Sequence, residues 1–274
     1  MNNNEQVKNF IIYLSENRKS QGTIEIYSRD VKQFLKYFKD KELYDMTNKD
    51  IEDYKNYLLD IKKLNVKTVN RKLVAINQYC TYCQVAVVVR QEKVQTQNFL
   101  DDIPSSSDLD RILKATKKKN DVRAEALIST LAMTGMRISE CLQLTIYDLD
   151  KDTINIIGKG QKRRDVFISN KLRKIWTRYM QVRKNNSIKL FTGKKGAITR
   201  FTAYKILKYY TGQARVKLKK AKLHNLRHYY AKKLANNNIP IEDLAEILGH
   251  ASLETSRIYL RKTKQELLDI INDI

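Results

Sequence analysis

The sequence predicts a mainly α-helical protein of two domains, the second of which contains a small antiparallel β-sheet. Apolar side chains recur at helical spacing through most of the 274 residues. Segments 153–157 and 164–168 alternate instead between apolar and polar side chains around a glycine-containing turn, which is typical of a β-hairpin. Residues 91–106 lack periodicity and contain a proline followed by serines. We therefore expect a helical domain over 1–90, a linker, and a second domain over 107–274.

The first domain is predicted to consist of four helices separated by short breaks. The predicted helices span 5–17, 22–38, 47–61 and 66–89. Each carries apolar residues three or four positions apart, so that one face can pack against the others. Thr47 and Asp50 form an acidic variant of the capping box, which favours a helix start at that point.

The second domain is predicted to contain helices before and after the hairpin in the sequence. They span 107–113, 122–133, 137–142, two segments within 170–222, then 223–235, 240–248, 252–259 and 262–274. Gly135 is predicted to close one of these helices, and Gly249 to end another as a left-handed cap. Ser252 can cap the helix that follows.

The composition favours a polyanionic partner. The formal net charge is +23 and the pI is near 9.8, and nucleic acid is a common partner of such chains. A generic basic surface is the less favoured alternative. Because no signal-peptide pattern opens the chain and no stretch approaches the length of apolar sequence that spans a membrane, we expect a soluble cytoplasmic protein.

The three cysteines are not predicted to form a metal or redox site. Cys80 and Cys83 have the C-x-x-C spacing, but no second ligand pair completes a zinc site, and their apolar neighbours favour a buried helix. Cys141 is also expected in a core. An odd number of cysteines fits a reducing compartment. We expect no metal and no cofactor.

All three histidines of the chain fall in one stretch, which marks a candidate site. If 223–235 is a helix, His224, Arg227 and His228 lie at positions i, i+3 and i+4 and share one face. The neighbouring face of that helix is apolar and can pack against a core. His250 follows the next predicted helix.

Tyr259 follows the last histidine, and the surrounding residue types suggest its substrate. A phenol is a weak nucleophile near neutral pH because its ordinary pKa is about 10. Guanidinium and imidazole groups around a phosphate would stabilise both the phenolate and the charge that develops during attack. No Ser-His-Asp or Cys-His arrangement is apparent that would favour a carbonyl target. The residues therefore favour attack on a phosphoryl group.

Four segments closely resemble the signature motifs of the tyrosine recombinases, the lambda-integrase and Xer-like site-specific DNA recombinases. They are TGMRISE, GKGQKRR, HNLRH and LGHASLETSRIYL. The match runs from about residue 107 to residue 260 in the family's order and spacing. The resemblance is specific because several short motifs agree independently.

The resemblance implies a catalytic set and a role for each member. The set comprises Arg137, Lys159, His224, Arg227, His250 and Tyr259. Tyr259 would attack the scissile phosphodiester to form a 3′-phosphotyrosine, while the two arginines and His250 bind the non-bridging oxygens. Lys159 would protonate the leaving 5′ oxygen, and His224 would assist proton transfer at the nucleophile. No ATP is implied, since the covalent intermediate retains the phosphodiester energy.

Two further residues are expected to support this set. Glu140 lies three residues after Arg137 and is placed to orient its guanidinium. His228 is expected to support the structure of the site. If the alignment of the hairpin slips, Lys162 would replace Lys159 as the acid.

Basic residues on both domains are expected to hold DNA. By resemblance, the helical first domain clamps one side of the duplex, and the linker lets two domains close as a C-shaped clamp. The candidate phosphate contacts are Lys67, Arg71, Lys72, Lys162 and Arg163. For each of those in the first domain, a solvated charged face is an equally good interpretation. Phosphate contacts set the register of a protein on DNA without reading bases.

The resemblance also implies double-stranded DNA with paired half-sites and a homotetramer on two DNA sites. Residues 262–274 carry apolar residues on what would be one helix face. That face either packs on its own domain or, as in similar recombinases, docks on a neighbouring subunit, and we favour docking.

The chain departs from the family pattern at a few positions. Tyr229 and Tyr230 replace smaller residues, and Arg261 stands where a histidine is common, which affects packing and regulation more than chemistry. The short segment before Glu5 favours an Xer-like or resolvase-like enzyme over a lambda-type integrase with an arm-site domain. Two alternatives remain: a type IB topoisomerase-like nicking and resealing enzyme, and a non-catalytic DNA-binding protein.

Overall fold

The computed structural model describes residues 3–39, 41–94, 102–157, 163–250, 252–261, 268 and 271–273. The chain divides into two compact units, Met1–Thr96 and Gln97–Ile274. The predicted fold class, mainly α-helical with a small antiparallel sheet, is confirmed. The predicted domain boundaries stay a prediction.

The first unit is built from amphipathic helices around an apolar core. These helices are α1 (Asn3–Glu16), α2 (Gln21–Tyr37), α3 (Asn48–Asn56) and α4 (Val66–Tyr82). A π-helical turn, Tyr57–Ile61, extends α3. The predicted capping box is present at the start of α3, where the Thr47 N–H donates to Asp50 Oδ2 at 2.6 Å. The core centres on Phe10, Phe34 and Tyr54, each at most 2% exposed.

The prediction that the fourth helix continues to residue 89 is wrong, because α4 ends at Tyr82. Gln84 adopts a positive φ of 57°, which breaks the helix. Beyond it, Val85, Val87 and Val89 pack against the core at every second position. This alternation is that of an extended chain, the conformation that β-branched residues favour.

The second unit contains helices that surround a larger core and two small sheets. The helices are α5 (Ser106–Lys118), α6 (Val122–Thr134), α7 (Ile138–Cys141), α8 (Asn170–Val182), α9 (Arg200–Gln213), α10 (Leu223–Asn236), α11 (Ile241–Leu248) and α12 (Leu253–Arg257). The strands are β1 (Thr153–Ile157), β2 (Arg163–Phe167), β3 (Thr192–Gly193) and β4 (Gly196–Ala197). Trp176 lies fully buried in this core, where its indole N–H donates to Thr130 Oγ1 at 2.8 Å.

The predicted hairpin is present as an antiparallel pair, β1 with β2, in which Thr153 pairs with Phe167 and Ile157 with Arg163. Its tip, 158–162, lies outside the described residues, and with it lie Lys159 and Lys162. Most of the segment 262–274, which was predicted to dock on a neighbouring subunit, also lies outside them.

Two glycines end helices next to the candidate site. Gly135 follows α6 with φ 63°, and Gly249 follows α11 with φ 62°, so the left-handed cap predicted at Gly249 is confirmed. Ser252 caps α12 by accepting from the Glu254 N–H. These caps turn the chain sharply enough to bring the ends of α6 and α11 towards α10.

Candidate active site

Two hydrogen bonds to Glu140 hold Arg137 at the start of α7. Its backbone N–H donates to Glu140 Oε2 at 2.7 Å, and its Nη1 donates to Oε1 of the same carboxylate at 2.9 Å. The Glu140 side chain is 7% exposed, whereas that of Arg137 is 35% exposed. The buried carboxylate therefore fixes the direction of a guanidinium that stays open to a ligand.

A second arginine, Arg164 on β2, shares the Glu140 carboxylate and is absent from the predicted site. Its Nη2 donates to Glu140 Oε2 at 2.7 Å, and its Nη1 donates to the Leu248 carbonyl at 3.0 Å. Arg164 is buried, although the strand carries charged residues on either side of it. The one signal in the sequence was strand alternation, which puts Arg164 on the same inward face as Val166.

Arg227 is the most buried cation of the site, at 1% exposed. It lies on α10, where its Nη1 donates to the Gly135 carbonyl at 2.7 Å and its Nη2 donates to the Leu248 carbonyl. Burial and the neighbouring Arg137 lower its pKa to about 10, so it stays charged at neutral pH. A guanidinium has five N–H groups, and those not bonded to carbonyls can bind an anion.

The Leu248 carbonyl joins these arginines into one network, because it accepts from both Arg164 and Arg227. This carbonyl has no partner within the helix because α11 ends there, and the absence of a side chain at Gly249 lets Arg164 approach it. A Cβ at Gly249 would stand 2.7 Å from Cδ of Arg164. The network thus ties the hairpin, the start of α7, α10 and the end of α11 together.

The hydroxyl of Tyr259 is hydrogen-bonded to His228, with Oη 2.8 Å from Nδ1. Tyr259 follows α12 and is 2% exposed, packed against Ala231, Leu244 and Leu248. The ring of His250 lies nearly parallel to the Tyr259 ring at 6.1 Å between centroids. The phenol is therefore enclosed within its own chain by α10, α11 and the turn after α11.

The histidines lie close to one another, and the rings of His228 and His250 contact the ring of Tyr259. His224 and His228 lie one turn apart on α10, as the spacing predicts, with ring centroids 4.3 Å apart. His250 Nδ1 lies 2.7 Å from Oγ of the buried Ser256, which fixes the imidazole at the start of the turn. The structure places His228 against the hydroxyl of Tyr259, whereas the sequence predicts that His224 assists proton transfer at this hydroxyl.

Burial keeps the phenol of Tyr259 and the imidazoles of His228 and His250 uncharged at neutral pH. Burial, then His224, Arg227 and His250, lower the pKa of His228 to about 4. Burial, then Arg227 and other cations, lower that of His250 to about 4. Burial raises the pKa of Tyr259, while Arg227 and Arg137 act in the opposite direction. At neutral pH the free protein therefore holds a protonated phenol against an uncharged imidazole.

His224 lies on the more exposed side of the group and faces an open cavity of about 770 Å³. The cavity is bounded by Arg137, Arg200 and Lys222, together with the exposed aromatic ring of Phe201. Cations and an aromatic surface beside the site are the features that a nucleic acid backbone and its bases would contact.

The other predicted DNA contacts differ in their availability. Lys67, at the start of α4, and Arg163, at the start of β2, are exposed. Lys72 is 6% exposed, and its ammonium contacts the buried carboxylate of Asp30 at 2.9 Å. Arg71 also pairs with Asp30. This placement disfavours Lys72 as a phosphate contact, because its charge offsets a buried carboxylate of its own unit.

The described residues contain no group of three or more histidine, cysteine or acidic side chains suited to a metal ion. Cys80 and Cys141 are buried, and burial raises the pKa of Cys80 to about 12, away from thiolate chemistry. Within the same described ranges, no helix is long and apolar enough to cross a membrane.

Replacing Gly135 with alanine is expected to destabilise the second unit by roughly 1–3 kcal/mol. The residue has φ 63°, and a Cβ there would stand 2.4 Å from Cδ1 of Tyr230. Urea unfolding followed by fluorescence of Trp176, the one tryptophan of the chain, measures the change. Gly212→Ala on α9 of the same unit is the control, because the one atom that a Cβ at Gly212 meets is Cδ2 of Leu218, at 4.0 Å; equal stability of the two variants would contradict the packing.

Acidification from pH 7 to pH 4 is expected to destabilise the second unit. His228 and His250 have folded pKa values of about 4, below the ordinary 6.5, so the unfolded chain binds their protons first. Their stabilisation is therefore complete above pH 6.5 and is lost as the pH falls to 4, by up to about 3 kcal/mol for each histidine. Urea unfolding across this range measures it. His228→Asn should flatten the pH dependence, and an unchanged slope in that variant would contradict the assignment.

Comparison with known proteins places these features in a family. The model described as the phage integrase family matches residues 105–266, and the model described as phage integrase, N-terminal SAM-like domain, matches residues 7–85. The chain is 29% identical to tyrosine recombinase XerD of Oceanobacillus iheyensis, over 92% of this chain and 91% of that protein. It is 27% identical to the TnP I resolvase of Bacillus thuringiensis, over 95% and 99% of the two chains.

A solved structure shares the fold. The crystal structure of XerH site-specific recombinase bound to palindromic difH substrate, a post-cleavage complex, aligns with a TM-score of 0.72 and 25% identity. The alignment covers 90% of this chain and 78% of that one. The similarity therefore extends over both units of the chain.

Proposed function

This chain belongs to the phage integrase family and is a tyrosine-type site-specific recombinase, and we propose that Tyr259 is its nucleophile. In this proposal the phenol oxygen attacks a scissile phosphodiester of double-stranded DNA. The products are a 3′-phosphotyrosine and a free 5′ hydroxyl, and reversal with a different 5′ hydroxyl rejoins the strands. The observation that carries the proposal is the burial of the Tyr259 hydroxyl against His228, close enough to Arg227 and Arg137 for their positive charges to act on its pKa.

The cations would stabilise the charge that develops on the phosphate. Arg137 is exposed enough to meet a non-bridging oxygen, and Arg227 keeps free N–H groups behind it. If Ser256 donates its hydroxyl hydrogen to Nδ1 of His250, the imidazole carries its hydrogen on Nε2 and can donate it to the phosphate. Each of these groups is held before DNA arrives, which is what preorganised stabilisation requires.

The departing 5′ oxygen needs a proton, and Lys159 remains the residue that the family resemblance assigns to this step. It lies on the hairpin tip outside the described residues, whereas the strand β2 that follows the tip is tied to the site by Arg164. The role of His224 in proton transfer also stays a prediction.

We propose that the protein acts as a tetramer, and the placement of Tyr259 supports this. Exchange between two duplexes breaks four strands, and Tyr259 packs against α10 and α11 of its own chain. We propose that each chain cuts one strand, so that four chains assemble on two DNA sites with paired half-sites. The net charge of +23 favours binding to DNA phosphates.

The test is covalent capture followed by strand exchange. Sheared genomic DNA is incubated with the full chain, the protein is denatured, and DNA that stays joined to it is sequenced from the attached 3′ end. Two differently labelled duplexes that carry the recovered sequence are then incubated with the protein. We expect products that contain one arm of each label.

Each alternative gives a different result in this test. A topoisomerase-like enzyme would form the adduct and relax supercoils without joining arms of different labels. A non-catalytic DNA-binding protein would retain DNA only until it is denatured. Either result would overturn the proposal.

A further inference from the structure

The hydrogen bond between His228 and Tyr259 is the one described contact of the nucleophilic oxygen with a titratable side chain. His228 lies on α10, and Tyr259 follows α12, 31 residues later. From its sequence position alone, His228 is expected only to support the structure of the site. The 2.8 Å distance is that of a direct hydrogen bond to the reacting atom.

Both partners of this bond are held from several sides. The Tyr259 backbone N–H donates to the Ser256 carbonyl at 3.0 Å, and its ring packs against Leu244 and Leu248. The His228 ring lies edge-on to the ring of His224. The contact is therefore a built feature of the fold, in which both side chains are fixed by packing.

We propose that His228 is the proton acceptor for Tyr259 during DNA cleavage, a step that rests on the function proposed above. In the resting enzyme the phenol donates its hydrogen to Nδ1, so the imidazole carries its own hydrogen on Nε2. During attack the bond between Oη and phosphorus forms, the O–H bond breaks, and the proton moves to Nδ1. The bond from phosphorus to the 5′ oxygen breaks, and that oxygen takes a proton from the general acid.

The other two histidines are less well placed for this step. His250 Nδ1 is already bonded to Ser256, and its ring is stacked alongside the phenol. His224 contacts the ring of His228 and faces the open cavity. His224 is thus one step further from the hydroxyl than His228.

The charges around His228 would make the transfer depend on DNA. His224 and Arg227 from α10, and His250 from the end of α11, face it and disfavour a positive imidazole, as does burial. A phosphodiester anion bound by Arg227 and Arg137 would offset the positive charge of Arg227 and make His228 more basic. Before DNA binds, the proton stays on the phenol, which keeps the nucleophile unreactive.

The resting hydrogen bond is tested by NMR of the full chain with ¹⁵N-labelled histidine. Only three histidines are present, so single asparagine substitutions assign each ring. We expect His228 Nδ1 to be unprotonated at pH 7, and Tyr259→Phe to shift the His228 signals more than those of His224. A protonated Nδ1 in His228, or no response to Tyr259→Phe, would overturn the proposal.

The transfer itself is tested by single-turnover cleavage of a duplex whose sequence comes from the wild-type adduct. His228→Asn can keep a hydrogen-bond acceptor near Nδ1 but cannot take a proton, and His228→Phe fills the ring volume without an acceptor. We expect both variants to bind this duplex like wild type and to cleave it about 100-fold or more slowly, the usual scale for general base catalysis. Their rates should also lose the decline that wild type shows as the pH is lowered.

A duplex with sulfur in place of the bridging 5′ oxygen separates the base from the acid. A thiolate leaves without a general acid because its pKa is low, so this substrate should restore cleavage by Lys159→Ala but not by His228→Phe. If His228→Asn cleaves at the wild-type rate, His228 acts only as a hydrogen-bond partner of Tyr259, and the proposal that it accepts the proton is overturned. If wild type itself forms no adduct, the proposed function fails rather than this inference.

Discussion

Replacing Tyr259 with phenylalanine is expected to leave a folded protein that binds DNA and forms no covalent adduct. The variant keeps the ring that packs against α11 and loses only the hydroxyl, which has one described hydrogen bond, to His228. The stability loss should be about 1 kcal/mol. Adduct formation should fall by several orders of magnitude, on the order of 10⁴ or more, because no neighbouring group can supply the same nucleophile. Denaturing electrophoresis of labelled DNA measures the adduct.

Tyr210→Phe is the matched control for this experiment. Tyr210 is 4% exposed, and its hydroxyl donates to Asp121 at 2.9 Å. Its substitution removes a buried phenol hydroxyl of the same unit with a similar effect on stability, but it should leave adduct formation intact. An adduct formed by Tyr259→Phe would refute the assignment of the nucleophile, and loss of the adduct in Tyr210→Phe would show that the assay reports stability.

The features that sequence could predict are those set by local spacing. The capping box at Thr47 and the cap at Gly249 depend on a few consecutive residues and the backbone geometry that they favour. His224 and His228 meet because one helical turn separates them. The sequence did not predict the end of α4 at residue 82, because the valines that follow carry no polar or helix-breaking signal. Their packing against the core of the first unit selects the extended chain.

The contacts that sequence could not predict join distant segments. Arg164 meets Glu140 and the Leu248 carbonyl only after β2 packs against α11, and no periodic pattern encodes that pairing. For the same reason, the sequence could not show whether His224 or His228 contacts Tyr259. Both face the same way on α10, and only the path of the chain through α11 and α12 decides which imidazole meets Tyr259.

Replacing Arg164 with methionine is expected to destabilise the second unit by about 3–5 kcal/mol. The substitution keeps much of the side-chain volume but removes the guanidinium that pairs with the Glu140 carboxylate, both side chains being at most 7% exposed. A buried carboxylate is then left with Arg137 as its described cation. Urea unfolding followed by Trp176 fluorescence measures the loss. We expect DNA cleavage to fall as well, because a Glu140 carboxylate that has lost its bond to Arg164 is less fixed and orients Arg137 less well.

The neighbouring Arg163→Met is the control that distinguishes the loss of a buried ion pair from the loss of one positive charge. Both variants lose one positive charge from adjacent positions of β2, but Arg163 is exposed and belongs to the predicted phosphate contacts. Arg163→Met should lower the free energy of unfolding by less than about 0.5 kcal/mol. It should weaken DNA binding instead, most clearly at low salt. Adding Glu140→Gln to Arg164→Met should restore part of the lost stability, since the buried carboxylate that lost its more buried partner is no longer charged, whereas cleavage should stay low. Equal stabilities of the Arg163 and Arg164 variants would mean that the arginine network does not hold the site together, and the preorganised phosphate-binding site inferred from it would have to be abandoned.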